Sequence, residues 1–504
     1  VTTVPGLQAE VEAANVGSGR SWRQSLSAFA VSATVHTVAI LILAFIAVPA
    51  ETREQIFNMI VESDAPPDET KAEPPMEMPG TIPDAPPDDA KIDFAGLTST
   101  APEDVAGAIE PPSGMLNLDA NDGPGGMPGD LDFANGKGPG ALKIKGGLGG
   151  RGTGDAKAAL VRGYGGNEAS EAAVATGLKW LAAHQKADGS WSFDHTTKEC
   201  KDSCTGAGSL KECDMGATSI ALLAFLGGGH THEVGSYQQT VRKAINYLLE
   251  HMKAAPEGGD MRGKVISNEG MYVQGIAGIA ICEAHAMTKD KRLRRAAEAA
   301  CNFIINSQDP KGGGWRYAPR QPGDTSVVGW QVMALKSAQA AKIRIPPIIF
   351  TGATHFLDTV AAEDGAHYGY DAKDQPGRPA TTAVGLLCRM YLGWKRDNPA
   401  LGRGVQFLSK TGPSGGDMYY NYYATQVLHH WGGEEWTKWN DVMRDMLVKR
   451  QTREGHAAGS WPPFGGHTGG SGGRLLDTCL SVMTLEVYYR HLPIYDRKKV
   501  QVDF

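Results

Sequence analysis

The stretch GLKWLAAHQKADGSW, Gly177 to Trp191, decides how this chain is read. An apolar, helix-like run closes on Gln185. Gly189 follows in a short turn, and Trp191 comes just after it. The same phrase returns as FIINSQDPKGGGW (Phe303 to Trp315) and as MLVKRQTREGHAAGSW (Met446 to Trp461). The last carbonyls of a helix have no partner within it. A Gln at that place is therefore expected to hydrogen-bond the backbone of the turn. Gln185, Gln308 and Gln451 take this role, with Trp191, Trp315 and Trp461 stacked beside them as staples between repeats.

Between residues 166 and 495 six segments carry the phrase or a degraded form of it. They are centred on Trp180-Leu181, Tyr247-Leu248, Phe303-Ile304, Phe356-Leu357, Phe407-Leu408 and Met446-Leu447. Each is followed by a Gly-rich turn and a second, more apolar run. Three copies lose the Gln. At Gly365-x-x-Tyr368 and Gly416-x-x-Tyr419 a tyrosine stands where Trp is expected. Such self-similarity marks a repeat architecture. Helix, turn, helix, six times over, predicts an all-α fold: an (α/α)6 toroid with the more apolar helices inside. Closure leaves no terminal repeat in need of a cap.

The pattern Phe/Trp/Tyr-Leu-x3-Gln-x(n)-Gly-x-Trp resembles the QW motif of squalene–hopene and oxidosqualene cyclases. The six pairs resemble the α/α toroid that these share with protein prenyltransferase β subunits. Within that group the chain looks like the single-toroid, membrane-anchored members of planctomycete-type bacteria. The resemblance implies specific chemistry, and the residues depart from it. Such cyclases protonate squalene with Asp-x-Asp-Asp-Thr. The nearest match is QPGDTS, Gln321 to Ser326, which keeps only Asp324-Thr325 and has Gly323 where the acid belongs. They also use two toroids, and this chain has one. Squalene cyclisation by that route is not expected. Prenyltransferases hold zinc with an Asp-x-Cys pair, which Asp477-Thr478-Cys479 resembles. Their third ligand, a His on a following inner helix, has no counterpart here, and ring closure would bring Cys213 near instead. Asp477 and Cys479 are thus a weak metal pair, a small buried Cys is the favoured reading of Cys479, and no cofactor is expected.

Asp214, Asp324, Asp417 and Asp477 lie at or just before inner-helix starts. Asp is a preferred N-cap, and helix N-termini carry positive potential. Asp324 and Asp477 are the candidate acids. Tyr272, Trp330, Tyr419, Tyr420 and Tyr423 are the candidate ligand-lining aromatics, in the company of Tyr422 and Trp431. Residues 419 to 423 cover more than half a helical turn, so only some of them face inward. His195, Cys200, Cys204 and Cys213 have a spacing that permits zinc. Outside the cytoplasm a disulfide among Cys200, Cys204 and Cys213 is favoured. Cys282, Cys301 and Cys388 fall within helical patterns and read as core.

The N-terminal part differs in kind. Residues 1–26 read as a cytoplasmic tail. Ser27 to Val48 is one apolar run that would span roughly 33 Å as a helix, matching a bilayer core. Arg20 and Arg23 precede it, which orients the chain with its C-terminal part outside the cytoplasm. A cleaved signal peptide is the rival reading. His36, an ionisable residue within that run, lies four residues after Ser32 and shares its helix face. This Ser-x3-His face, and the Pro-rich acidic stretch after it, resemble the N-terminus of TonB-like energy transducers, which implies an ExbB/ExbD-like stator partner. Residues 49–165 hold fifteen Asp/Glu against three Lys/Arg between Glu51 and Glu110, then become Gly-rich. That composition reads as a disordered tether. Residues 496–504 read as a tail. The net charge of −7 and the absence of a Lys/Arg block exclude nucleic acid as a partner.

Two functions are drawn from this, the first as the leading reading and the second as its alternative. One is an inner-membrane-anchored binding or scaffolding module that presents the toroid mouth to a hydrophobic or polymeric ligand. The other is an enzyme acting on a terpenoid or glycan through the mouth carboxylates. A mouth carboxylate with a strongly raised pKa favours the second.

Overall fold

The structure, a computed structural model, describes residues 142–145, 148, 151, 155–195, 200, 203–265, 269–373, 378–495 and 500–503. The expected cytoplasmic tail, the 27–48 anchor with Ser32 and His36, and the acidic stretch lie outside the described residues. Among the described helices none is long and apolar enough to cross a membrane.

A leading helix, α1 (Asp155–Tyr164), precedes the repeats. The pairs that follow are α2 (Glu168–Ala183) with α3 (Asp214–Gly227), α4 (Gln238–His251) with α5 (Gly270–Thr288), and α6 (Lys291–Asn306) with α7 (Thr325–Ala340). Next come α8 (Pro347–Val360) with α9 (Pro379–Tyr391), and α10 (Pro399–Thr411) with α11 (Met418–Trp431). In the last, α12 (Gly433–Arg450) is joined through the short α13 (Gly466–Ser471) to α14 (Gly473–Leu485). A single turn, α15 (Val487–Arg490), ends the helical part.

Helices α3, α5, α7, α9, α11 and α14 form the inner ring. Each packs on the next, and α14 returns to pack on α3. The outer helices α2, α4, α6, α8, α10 and α12 each lie against the inner helices beside them. The sequence explains the division. Every residue of α3 after Asp214 is buried, as a helix apolar on all sides but for Thr218 and Ser219 allows. In α6 the buried residues are Leu293, Ala296, Ala297, Ala300, Cys301, Phe303 and Ile304, a stripe at helical spacing facing the ring.

The described region is mostly helical but not wholly so. Three two-stranded pairs accompany the helices: β2 (Lys253–Ala255) with β3 (Gly258–Asp260), β4 (Ala361–Ala362) with β5 (His367–Tyr368), and β1 (Leu142–Lys145) in parallel with β6 (Val500–Asp503). The last pair joins the expected tether to the expected tail. The tether also ends sooner than 165. Tyr164 and Gly165 offer their carbonyls to Trp436, Asn440 and Arg444 of α12. Arg151 is fully buried at the C-terminal end of the inner ring. Its guanidinium meets Glu283 in a two-pronged pair at 2.7 and 3.0 Å, and Arg490 shares the same carboxylate at 3.2 Å.

The repeated phrase is built the same way three times. The Gln185 amide donates to Gly189 O in its turn and to Thr240 O on the next outer helix, both at 2.9 Å. Gln308 does the same with Gly313 O and Ile349 O, and Gln451 with Gly459 O and Ala173 O. Each Trp indole N–H donates to a carbonyl in the last turn of its own outer helix: Leu181, Ile304 and Leu447. The Trp thus supplies a hydrogen bond where only stacking was expected. The glycines Gly189, Gly313 and Gly459 have φ of 93°, 74° and 94°. A Cβ on any of them would collide with a carbonyl of the next outer helix, at Lys243, Gly352 or Thr176. Glycine is required here for its backbone conformation and for the close approach. The third copy holds α12 to α2, so the ring closes with the device that joins its neighbours.

Candidate functional site

Outer and inner helices alternate in direction, so the phrase turns and the N-termini of the inner helices share one end of the ring, the mouth. Asp324 sits there as the N-cap of α7, with 0% exposure. Its Oδ1 accepts from the Val327 N–H at 2.9 Å, which satisfies the cap. Its Oδ2 is buried and accepts no hydrogen bond. Burial raises the carboxyl pKa to about 7, against the lowering effects of the Val327 N–H, Arg316 and Tyr370.

The wall around Asp324 is aromatic. Thr325 fixes part of it: its N–H and hydroxyl donate to Tyr370 O at 2.8 and 2.9 Å, and the hydroxyl also reaches Gly369 O at 2.6 Å. The Tyr370 hydroxyl meets that of Tyr317 at 2.5 Å. The Arg316 guanidinium lies 5.1 Å from the Tyr317 ring and 5.6 Å from the Tyr370 ring. Tyr272 of α5 and Tyr419 of α11 complete the group, and the Asp324 charge helps raise the pKa of both hydroxyls, after burial. Both rings keep partial exposure, so they line the mouth and are not sealed in the core.

The expected aromatic set therefore divides. Tyr272 and Tyr419 front Asp324. Tyr419 does not replace a Trp in the turn, because α11 has already begun at Met418. Trp330 and Tyr423 are buried deeper in the ring, Trp330 stacked on Tyr422 at 5.8 Å and edge-on to Tyr423 at 5.6 Å. Tyr420 points the other way. It lies edge-on to Trp439 of α12 and donates to Gly412 O at 3.1 Å, so it is packing between the two rings and not part of the mouth.

Asp477 was expected at a helix start, but α14 begins four residues earlier at Gly473. Its Oδ2 accepts from the Phe464 N–H at 2.7 Å, tying the turn to the inner helix, while Oδ1 is buried without a partner. Burial raises its pKa to about 6, and the charge of Asp417 adds to the rise. Asp417 caps α11 through the Tyr420 N–H at 2.9 Å, and burial raises its pKa too. Asp214 is an ion-pair residue, 2.7 Å from Lys186. The position of the missing cyclase acid is explained: a Cβ on Gly323 would press on Gly314 and Phe356, so no acid fits there.

The cysteine expectations change most. None of the seven cysteines is in a disulfide, so none joins Cys200, Cys204 and Cys213. Cys213 N-caps α3. His195 contributes a ring nitrogen 3.3 Å from Cys204 O, a backbone contact. Asp477, Cys479 and Cys213 do not converge on a common point. Among the described residues one group of metal-ligating type converges: His184, Cys200, Cys204 and His456, with their donor atoms within 4.8 Å of one another.

Sequence reasoning missed several of these residues. Tyr317 and Tyr370 carry no motif. Gln274, on an inner helix, replaces the missing phrase Gln of the second repeat: its amide donates to Gly259 O and Ala300 O, at 3.0 and 3.2 Å. Tyr368 does stand in for Trp, its N–H held by the Thr382 hydroxyl as the Trp191 and Trp461 N–H groups are held by Thr218 and Thr478.

No family model and no curated protein matches the chain. Its fold is similar to solved toroids at low identity. An inactive variant of the α-1,6-mannanase of Salegentibacter sp., in complex with α-1,6-mannotriose, aligns with a TM-score of 0.46 at 10% identity, over 64% of this chain and 99% of that one. A variant of the type II terpene cyclase of Scytonema, in complex with geranylgeranyl dihydroxybenzoate, gives 0.45 at 12% identity, over 66% and 99%. The protein geranylgeranyltransferase-I of Candida albicans, complexed with GGPP, gives 0.39 at 10% identity, over 61% and 92%. Likeness at this level carries no argument about substrate, and the ring described above rests on its own helix contacts.

Proposed function

We propose that the toroid is an enzyme that takes an apolar, unsaturated ligand of isoprenoid type at its mouth, with Asp324 as proton donor. The carrying observation is the Asp324 carboxyl itself. One oxygen is spent on the cap, the other is buried and unpartnered, and a pKa of about 7 keeps a large share of it protonated at neutral pH. The chemistry balances. The Oδ2 proton passes to one carbon of a double bond, the π electrons form the new C–H bond, and the neighbouring carbon becomes cationic. Loss of a proton from the cation to solvent, or capture of water followed by loss of its extra proton to solvent, ends the reaction, and Asp324 takes a proton back from solvent. The faces of Tyr272 and Tyr419 offer the aromatic surface that stabilises such a cation, while Arg316 lies over the rings of Tyr317 and Tyr370. The cyclase acid motif is absent, so squalene is not the expected substrate.

The test uses the full chain and geranylgeraniol or longer polyprenols, with products followed by mass spectrometry. Turnover that disappears in Asp324→Asn while the melting transition stays supports the reading. Turnover unchanged in Asp324→Asn overturns it. Retention of a polyprenol without turnover returns the protein to the binding or scaffolding role. Asp417 and Asp477 favour a second reading. Glycosyl transfer uses two carboxylates with separated pKa values; burial raises both, and the Asp417 charge raises Asp477 further, so release of sugar from an oligosaccharide, lost in Asp477→Asn, would decide for a glycan.

The setting is part of the proposal. Residues 27–48 anchor the chain in the inner membrane with the toroid outside the cytoplasm, and the Ser32–His36 face meets an ExbB/ExbD-like stator. The support is the apolar run, its flanking arginines and the Ser-x3-His spacing. Cross-linking from a probe at Val35 or Ala39 should give a stator-sized adduct that His36→Leu abolishes. An adduct that survives the change removes the transducer part.

A further inference from the structure

We infer that His184, Cys200, Cys204 and His456 form a tetrahedral zinc site that fastens the first repeat to the last. His184 closes α2, one residue before the phrase Gln185. Its Nδ1 lies 2.8 Å from Trp180 O, and its ring is stacked on the Trp180 indole at 4.0 Å. That carbonyl holds the proton on Nδ1 and leaves the Nε2 lone pair free, the outer-shell arrangement by which proteins orient a ligating histidine. Nε2 is 3.5 Å from Cys204 Sγ, and His456 Nδ1 is 3.3 Å from the same sulfur. With Zn–S near 2.3 Å and Zn–N near 2.0 Å, the S···N edge of a tetrahedral site is about 3.5 Å. Both sulfur–nitrogen edges from Cys204 thus already stand at the spacing the ion imposes, and all four donors lie within 4.8 Å of one another.

The donors belong to different parts of the chain. Cys200 and Cys204 are buried in the insertion between α2 and α3, and His456 comes from the turn after α12, inside the third copy of the phrase. A second contact spans the same place: Arg474 at the start of α14 donates to Thr205 O at 2.6 Å and to the Ser460 hydroxyl at 2.9 Å. Two thiolates and two imidazoles fill four positions, which makes a closed, structural site with no place for a reacting water. Zinc fits this mixed sulfur and nitrogen set and a tetrahedral arrangement. On binding, the two thiols release their protons to solvent and no electron moves. The bound ion also prevents the two sulfurs from pairing in an oxidising compartment. The site stands apart from Asp324, so its failure would leave the proposal for the mouth intact.

The experiment takes the full chain purified without added metal, with zinc measured by inductively coupled plasma mass spectrometry. One zinc per chain is expected. Cobalt(II) in its place should give the visible bands of a tetrahedral site with a thiolate charge-transfer band, and Cys204→Ser should lose both. His456 is exposed, so His456→Ala should keep its helical circular dichroism while binding zinc at least ~10–100-fold more weakly, the range set by loss of an outer-shell partner alone. Three results overturn the site: full zinc content in Cys204→Ser, failure of the reduced native chain to take up zinc or cobalt, or a Cys200–Cys204 disulfide found by peptide mapping of the zinc-treated protein.

Discussion

Asp324 shows how one buried carboxyl links chemistry to stability. Its folded pKa of about 7 is far above the usual 3.8. Between those values the unfolded chain has lost its proton and the folded chain keeps it, so folding is favoured below pH 4 and the advantage is lost as pH rises through 7. The slope for one such group approaches about 1.4 kcal/mol per pH unit. Asp477 and Glu486, raised by burial to about 6 and about 8, act in the same direction. Asp324→Asn keeps the cap and removes its own share. Urea unfolding at pH 5 and pH 8 should therefore show a smaller loss of stability in the variant than in the native chain, and an equal loss would refute the raised pKa. Gln274 carries a second expectation. Gln274→Ala leaves two carbonyls and the Met261 N–H without their partner, and should cost about 1–3 kcal/mol, as Gln308→Ala should. The phrase Gln, Gly and Trp were legible in the sequence because their types recur at similar spacing. Gln274 was not, because it reaches equivalent carbonyls from the opposite helix of the pair. The burial of Asp324 was not legible either, since a capping Asp looks the same whether wet or dry.

Helices meet through turns, and there the glycines decide the cost of change. Gly459 and Gly455 both have positive φ, 94° and 68°, in one turn. Alanine at either pays the left-handed penalty of about 1–2 kcal/mol. Only at Gly459 does the new Cβ also strike a neighbour, the Thr176 carbonyl, while at Gly455 nothing lies within 4 Å. Gly459→Ala should thus lower stability by clearly more than Gly455→Ala in parallel thermal melts, and equal losses would refute the close approach. Inner and outer helices were separable in the sequence because an all-buried helix and a striped one differ in composition at every turn. The start of α14 was misplaced because Gly-rich residues 465–473 read as a loop, although they hold α13 and the first residue of α14. Helix α1 was hidden by the Gly-rich run before it.

Closure of the ring was readable from six repeats and from the third phrase, but two further contacts that secure the fold were not. Each joins residues distant in sequence: Arg151 lies 132 residues from Glu283, and Cys204 lies 252 from His456. Local composition made the region of Arg151 a tether, and the expected compartment made the cysteines a disulfide. Both readings failed because the partners were elsewhere in the chain. Burial alone would raise the Glu283 pKa, yet Arg151 and Arg490 hold it below its ordinary value. Arg151→Ala should leave a buried carboxylate with a single partner and cost about 3–5 kcal/mol. An equilibrium unfolding curve would show it, with Arg294→Ala, an exposed pair on α6, as a control that should shift stability by less than about 1 kcal/mol.

The grip of the third phrase on the first outer helix also sets an order of events during synthesis. Gln451 reaches back 278 residues to Ala173. At about 5–20 residues per second, the ribosome delivers that partner some 15–60 s after α2 has emerged. For that interval the apolar flank of the first repeat has no α14 to cover it, and the nascent chain must be shielded or remain loosely folded until the ring can shut.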